Sequence, residues 1–118
     1  MGRLTTHVLD TAAGRPAVGL KVVLSRLDGA PGVLASAKTN SDGRLDQPLL
    51  DGTAFAPGQY EIMFHVGDYF RANGVALAEP AFLDLVPLRF GIAHGSEDSH
   101  YHVPLLVSPY AYSTYRGS

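Results

Sequence analysis

Glycine and proline interrupt this chain at short intervals, and this punctuation limits it to short secondary-structure elements. The 118 residues include 13 Gly and 8 Pro, which separate short apolar runs. Long helices are disfavoured, because proline removes a backbone donor and glycine favours turns. Short strands separated by regular turn signals are typical of an antiparallel sandwich or barrel. The sequence therefore predicts an all-β fold.

The segments between these breakers alternate apolar and polar residues, as strands with one buried face do. Residues 58–66 give the clearest pattern, because their even-numbered positions are all apolar from Tyr60 onward. Pro87 cannot donate to a ladder, so residues 82–90 are expected to form an edge strand or to contain a bulge. Further strands are predicted at residues 4–10, 19–26 and 33–39, with a final hairpin of 100–108 and 111–115. In all, about eight strands are expected.

One short helix is predicted over residues 68–74. Asp68 can accept hydrogen bonds from free N–H groups at its start, and Gly74 can end it in the left-handed region. No internal repeat or interdomain linker interrupts the pattern. A chain of this length can bury roughly two-thirds of its unfolded surface, so residues 1–118 are expected to form a single domain.

Charge and composition exclude several classes of partner. The formal net charge is −2, and the nine Lys and Arg residues are scattered, so neither nucleic acid nor an anionic membrane is indicated. The absence of cysteine excludes disulfides and thiolate metal ligands. The first residues lack an apolar signal region, and no window approaches the ~20 apolar residues of a spanning helix. A soluble, cytoplasmic protein is expected.

Two histidines form the strongest chemical signal in the sequence. His100 and His102 lie two residues apart in a predicted strand, so their side chains share one face. They could act as a pair in one cavity, or they could be ordinary structural histidines. With a third histidine they could also form an open zinc site. Local sequence alone leaves these alternatives open, and it gives His7 and Arg44 no special role.

Four segments in order along the chain resemble one family. They are residues 6–10 (THVLD), 40–44 (NSDGR), 100–106 (HYHVPLL) and 108–118 (SPYAYSTYRGS). This combination resembles the 5-hydroxyisourate hydrolases, the transthyretin-related enzymes of urate breakdown. The resemblance implies a transthyretin-like sandwich of two four-stranded sheets with one short helix. It also implies a homotetramer with active sites in the channel between dimers, and no metal or other cofactor.

The resemblance also assigns site residues. It places His7, Arg44 and His102 in the substrate pocket, with His100 nearer the rim. The tail contributes its last four residues to the same pocket: Tyr115, Arg116, Gly117 and Ser118. Hormone-carrying transthyretins have Lys in place of His7 and Glu in place of Arg44, and they lack the histidine pair and the terminal tetrapeptide. These positions favour the enzyme over a non-enzymatic carrier of a small aromatic ligand, which is kept as an alternative.

The side chains suit the implied reaction. 5-Hydroxyisourate would be opened by water at a ring carbonyl to give 2-oxo-4-hydroxy-4-carboxy-5-ureidoimidazoline. Neutral imidazole, with an unperturbed pKa of ~6.5, can accept a proton from water, so His7 and His102 are both candidate bases. Arg44 and Arg116 would bind and stabilise negative charge. Ser118 could orient an imidazole or pass a proton to the leaving nitrogen, through its hydroxyl or the chain carboxylate. A zinc-dependent cyclic amide hydrolase is the other alternative.

Overall fold

The computed structural model describes residues 1–118 and is built mainly from short strands. There are eleven strands, one α-helix and one 3-10 turn at Gly52–Ala54. The elements are β1 (Arg3–Thr5), β2 (Val8–Asp10), β3 (Arg15–Pro16), β4 (Lys21–Arg26), β5 (Gly32–Lys38), β6 (Leu50–Asp51), β7 (Gly58–His65), α1 (Val66–Ala72), β8 (Leu85–Ile92), β9 (His100–His102), β10 (Leu105–Val107) and β11 (Tyr112–Ser113). The predicted all-β class is confirmed.

The longest strands form one antiparallel sheet in the order β5-β4-β7-β8. Ile62 in its centre pairs with Leu24 on one side and Leu88 on the other. The predicted alternation is confirmed, since the even-numbered apolar residues of both strands are buried: Val22 and Leu24 in β4, and Tyr60, Ile62 and Phe64 in β7. Each large apolar side chain buried in this way contributes about 1.5–3 kcal/mol. Pro87 lies in the edge strand β8, where its missing N–H is tolerated.

The second layer is one sheet interrupted in the middle. It consists of two ladders, β6-β1-β9 and β11-β10-β2-β3. The parallel register is the same on both sides of the interruption, with Thr5 opposite His102 and Val8 opposite Leu105. The N–H groups of Val103 and Leu105 still donate across the interruption to the carbonyls of Thr5 and His7, but the Val103 carbonyl accepts from the Thr6 hydroxyl at 2.7 Å. The predicted single strand at residues 4–10 is therefore divided into β1 and β2, and the predicted second four-stranded sheet is divided into two ladders.

The two layers enclose a single hydrophobic core. Twenty-two buried residues form one cluster, to which both sheets and the helix contribute. Phe55 and Tyr101 meet edge to face in this core, with ring centroids 5.6 Å apart. Because this core is packed between the two sheets, it holds the second sheet, including its interruption, in place against the first.

The helix begins two residues earlier than predicted. α1 spans Val66–Ala72 and continues directly from β7, with His65 rather than Asp68 at its N-cap. Asp68 lies in the first turn, and its carboxylate is 3.4 Å from the Arg71 guanidinium. Gly74 lies beyond the end of the helix with a φ of +79°. No helix of the chain combines the length and the apolar character needed to cross a membrane.

The predicted C-terminal hairpin forms only in part. β10 pairs with β11, as expected, but β9 pairs in parallel with β1. The prediction of a continuous strand over residues 100–108 was wrong, because Val103 and Pro104 separate β9 from β10. After β11 the tail returns to β9, where Gly117 forms an antiparallel bridge with His102. The tail therefore lies beside the interruption in the second sheet.

Candidate active site

The turn at residues 40–44 brings Arg44 beside His7. The Asn40 side-chain oxygen accepts hydrogen bonds from the backbone N–H groups of Asp42 (2.9 Å) and Arg44 (3.2 Å). Gly43 has a φ of +74°, and a Cβ there would lie 2.5 Å from the carbonyl oxygen of Val8. Only glycine fits this turn. As a result His7 and Arg44 form an isolated antiparallel bridge at the point where the second sheet is interrupted.

The tail is held against His102 by its backbone. The Gly117 N–H donates to the His102 carbonyl at 2.7 Å, and the His102 N–H donates to the Gly117 carbonyl at 3.2 Å. A Cβ at position 117 would lie 3.1 Å from the Cβ of His102 and 3.2 Å from its Cδ2. The absence of a side chain at Gly117 therefore allows the tail to lie directly on the imidazole.

A cleft of about 460 Å³ opens at the interruption. Its volume lies within the range of small-molecule sites. Polar side chains dominate its lining, and Leu45 is its one hydrophobic residue. The lining residues are Arg3, Thr5, Thr6, Arg44, Leu45, Asp46, Gln47, Pro48, His100, His102 and Ser118. Four residues predicted from the sequence thus meet in one cleft: Arg44, His100, His102 and Ser118.

The other predicted site residues lie at the margin of the cleft or outside its lining. His7 bonds through its ring Nε2 to the Asp42 carbonyl at 2.9 Å. Arg116 places its guanidinium over the ring of Tyr101, 4.0 Å from the centroid, although it was expected to bind substrate. Tyr115 is 60% exposed, and Gly117 contributes backbone only. Within one chain, Arg116 and Tyr115 therefore hold or extend the tail without lining the cleft.

Sequence analysis missed Thr5, which lies between the two histidines. Its Oγ1 is 2.7 Å from Nε2 of His100 and 2.9 Å from Nδ1 of His102. Strand alternation places Thr5 and His7 on one face, but it does not reveal a strand partner almost one hundred residues away. The contact depends on the parallel register of β1 with β9, which is fixed by tertiary packing.

All three histidines near the cleft are biased toward the neutral form. Burial lowers the pKa of His102 below its usual 6.5, and the charges of Arg44, His100 and His7 lower it further. Burial and Arg44 also lower the pKa of His7. For His100 the pKa is lowered by burial and by Arg3. These imidazoles are therefore available as proton acceptors at neutral pH.

The arrangement of titratable side chains bears on the zinc alternative. No group of three or more His, Cys, Asp or Glu side chains lies close enough together to hold a metal ion. The zinc alternative requires a third ligand beside His100 and His102. Within one chain, Thr5 bonds to both rings, and the neighbouring charges that act on them include the guanidinium groups of Arg44 on His102 and Arg3 on His100.

The fold and the cleft together define the class of protein. A transthyretin-like sandwich of two layers carries a polar cleft in which imidazoles and a guanidinium meet. A family model described as the HIUase/Transthyretin family matches residues 4–117. The chain belongs to this family.

The similarity to individual members extends over the whole chain. This chain is 68% identical to 5-hydroxyisourate hydrolase 2 of Rhizobium meliloti (strain 1021), over 99% of this chain and 97% of the relative. The structure also superposes on that of Klebsiella pneumoniae 5-hydroxyisourate hydrolase with a TM-score of 0.82. The two sequences are 32% identical, and the match covers 100% of both chains. A crystal structure of (S)-allantoin synthase matches 99% of this chain with a TM-score of 0.94, and the aligned sequences are 50% identical. In that case this chain spans only 44% of the other protein.

Proposed function

We propose that this protein hydrolyses 5-hydroxyisourate to 2-oxo-4-hydroxy-4-carboxy-5-ureidoimidazoline. The observation that supports this most directly is the cleft in which Arg44, His100, His102 and Ser118 meet. The cleft is polar and of a size for a small oxidised purine. The Rhizobium and Klebsiella proteins described above carry this activity in their names.

The reaction begins with water activated by a neutral imidazole. His102 or His7 accepts a proton from water as the oxygen attacks a ring carbonyl. The ring C–N bond then breaks, the nitrogen takes up a proton, and a carboxylate is formed. The lowered pKa values of both histidines keep them unprotonated and ready for the first step.

Cationic groups stabilise the charge that develops during attack. Arg44 lines the cleft, so its cationic guanidinium can bind the carbonyl-rich edge of the substrate and the developing oxyanion. Ser118 also lines the cleft and can donate its hydroxyl to substrate or to an imidazole. His100 is assigned to substrate binding beside His102. No step requires a metal ion.

The remaining tail residues fit best in an assembly of several chains. We assign Tyr115, Arg116 and Gly117 to substrate binding in a homotetramer whose sites lie in the channel between dimers. Tyr115 is well exposed and so is free to contact another subunit or its substrate. Tyr110 and Tyr112 of the same hairpin are also exposed, at 69% and 43%. Apolar groups of this kind are suited to subunit contacts.

The test is a direct assay with freshly generated substrate. 5-Hydroxyisourate is produced from urate by urate oxidase, the oxidase is removed, and the absorbance decay is followed with and without this protein. We expect a protein-dependent acceleration that survives exhaustive chelation. Loss of activity on chelation and its recovery with Zn²⁺ would support the zinc-dependent alternative. Binding of the substrate without faster decay would support the carrier and overturn the proposal.

A further inference from the structure

The hydroxyl of Thr5 connects two imidazoles that both line the cleft. Oγ1 lies 2.7 Å from Nε2 of His100 and 2.9 Å from Nδ1 of His102, which are hydrogen-bond distances. Thr5 is half-buried, and its backbone is opposite His102 in the β1–β9 ladder. The ring centroids of the two histidines are 6.2 Å apart. The hydroxyl, which is within hydrogen-bond distance of both rings, connects them.

The single hydrogen on Thr5 Oγ1 limits which tautomers the two histidines can adopt together. A hydroxyl donates one hydrogen bond, so a second partner at such a distance must donate to it. If Thr5 donates to Nε2 of His100, Nδ1–H of His102 donates to Thr5, and both neutral rings are Nδ1–H tautomers. If Thr5 donates to Nδ1 of His102, both neutral rings are Nε2–H tautomers. If both rings accept, one contact has no hydrogen. If Nε2–H of His100 and Nδ1–H of His102 both donate to the two lone pairs of Oγ1, the Thr5 hydrogen has no acceptor within the chain.

These constraints separate the two possible roles of His102. In the Nδ1–H state its Nε2 is unprotonated and can accept a proton from water in the cleft. In the Nε2–H state neither ring nitrogen is free to accept, because Nδ1 is already occupied by the Thr5 hydrogen. His7 is fixed differently, since the Asp42 carbonyl accepts from its Nε2–H, and His7 does not line the cleft.

We propose that Thr5 is a positioning residue that holds His100 and His102 as Nδ1–H tautomers, which leaves Nε2 of His102 as the general base. This inference rests on the proposed hydrolysis and specifies which imidazole performs it. When His102 takes the proton from water at Nε2, its Nδ1–H still donates to Thr5, and Thr5 still donates to His100. No hydrogen bond of the chain must rearrange during the step, and the proton leaves Nε2 again for the departing ring nitrogen.

The tautomers can be measured without any assay of activity. Protein labelled with ¹⁵N at histidine is studied by long-range ¹H–¹⁵N correlation at pH 8, and His100→Gln and His102→Gln variants assign the signals. We expect the Nδ1–H pattern for both rings in the unsubstituted protein, and loss of this common tautomer in Thr5→Val. Nε2–H at both rings, or different tautomers in the two rings, would overturn the proposal.

Kinetics then test whether the tautomer matters for catalysis. Thr5→Val keeps the shape of the side chain and removes the hydroxyl, whereas Thr5→Ser keeps the hydroxyl. We expect Thr5→Val to lower kcat by about 10²-fold, the lower end of a general-base contribution, with little change in KM. Thr5→Ser should retain most of the activity. Equal kcat values in the two variants, both shown by circular dichroism to be folded, would contradict the role of Thr5.

The two proposals can fail separately. If the unsubstituted protein does not accelerate 5-hydroxyisourate decay, the proposed function fails, whatever the tautomers are. If it does accelerate the decay but the rings are Nε2–H, only the role of Thr5 fails.

Discussion

At the level of single residues, the sequence indicates only some of the side chains that line the cleft. The spacing of His100 and His102, and the family resemblance of the segments that contain Arg44 and Ser118, identified four residues that line one cleft. Thr5 could not, because threonine is common in strands and its two partners lie on β9. The position of Arg116 over Tyr101 was likewise hidden, since the contact arises only when the tail folds back.

Removal of single side chains should separate the catalytic residues from the fold. His7→Ala, His102→Ala and Arg44→Ala should each lower turnover at least about 10²-fold, the usual range for a lost base or oxyanion donor. All three positions are at least partly exposed, so the variants should stay folded. Arg89→Ala, on the outer edge strand, serves as a control that removes a cation far from the cleft. Near-normal turnover in any of the three variants would reject the role of that residue.

The charge of Arg44 should set the acidic limb of the pH profile. The proposed mechanism requires a neutral imidazole, so kcat/KM is expected to fall as the pH decreases through the pKa of that base. Burial is the largest cause of the lowered pKa of both His7 and His102, and the charge of Arg44 is the second. Arg44→Gln should therefore raise these pKa values and move the acidic limb to higher pH, whereas Arg44→Lys should leave it in place. Profiles with the same midpoint in all three proteins would show that Arg44 does not tune the base.

At the level of elements, periodicity predicted the first sheet well and the second sheet poorly. The first sheet consists of long antiparallel strands, whose alternation directly records which face is buried. The second contains parallel pairs between distant segments, and both segments are interrupted between their paired strands. The helix start was misplaced because β7 leads into it without a polar cap. Such boundaries depend on tertiary contacts and not on local pattern.

The tail should tolerate no side chain where it crosses His102. Gly117→Ala would place a Cβ 3.1 Å from the Cβ of His102, which pushes the tail or the imidazole away. We expect lower turnover with little loss of stability, because Gly117 is outside the core. Gly91→Ala is the matched control, since its new Cβ makes ordinary contacts, 3.5 Å from the Gln59 side chain and 3.8 Å from the Gly58 carbonyl oxygen. Urea unfolding and the decay assay on both variants test this, and full activity of Gly117→Ala would show that close contact is unnecessary.

At the level of the whole molecule, one chain supplies a complete core but leaves several large apolar side chains exposed. Phe82 and Tyr110 are 71% and 69% exposed, and their ring centroids lie 6.0 Å apart on the surface. Val33 on the edge strand β5 is 68% exposed. Single exposed residues are common, but adjacent aromatic rings are more typical of surfaces that other chains cover.

The proposed homotetramer is tested by the solution mass. Light scattering coupled to size exclusion should give about four times the 12.6 kDa mass of the chain. Phe82→Ser and Tyr110→Ser show whether this aromatic pair contributes, since weaker assembly in either variant places it in a subunit contact. A monomeric mass at assay concentration would remove the channel between dimers from the proposal, and with it the proposed substrate contacts of Tyr115 and Arg116.

The parallel register of the second sheet has a consequence for how the protein is made. Thr5 must meet His102, which is separated from it by 97 positions. At typical rates of translation, β1 waits roughly 5–20 seconds for its partner to be synthesised. Its unpaired backbone must be kept from other nascent strands throughout this time. The proposed site can therefore assemble only after residues 100–118 have been synthesised, and a nascent chain that lacks them carries neither the hydroxyl-linked imidazoles nor the tail that lies against them.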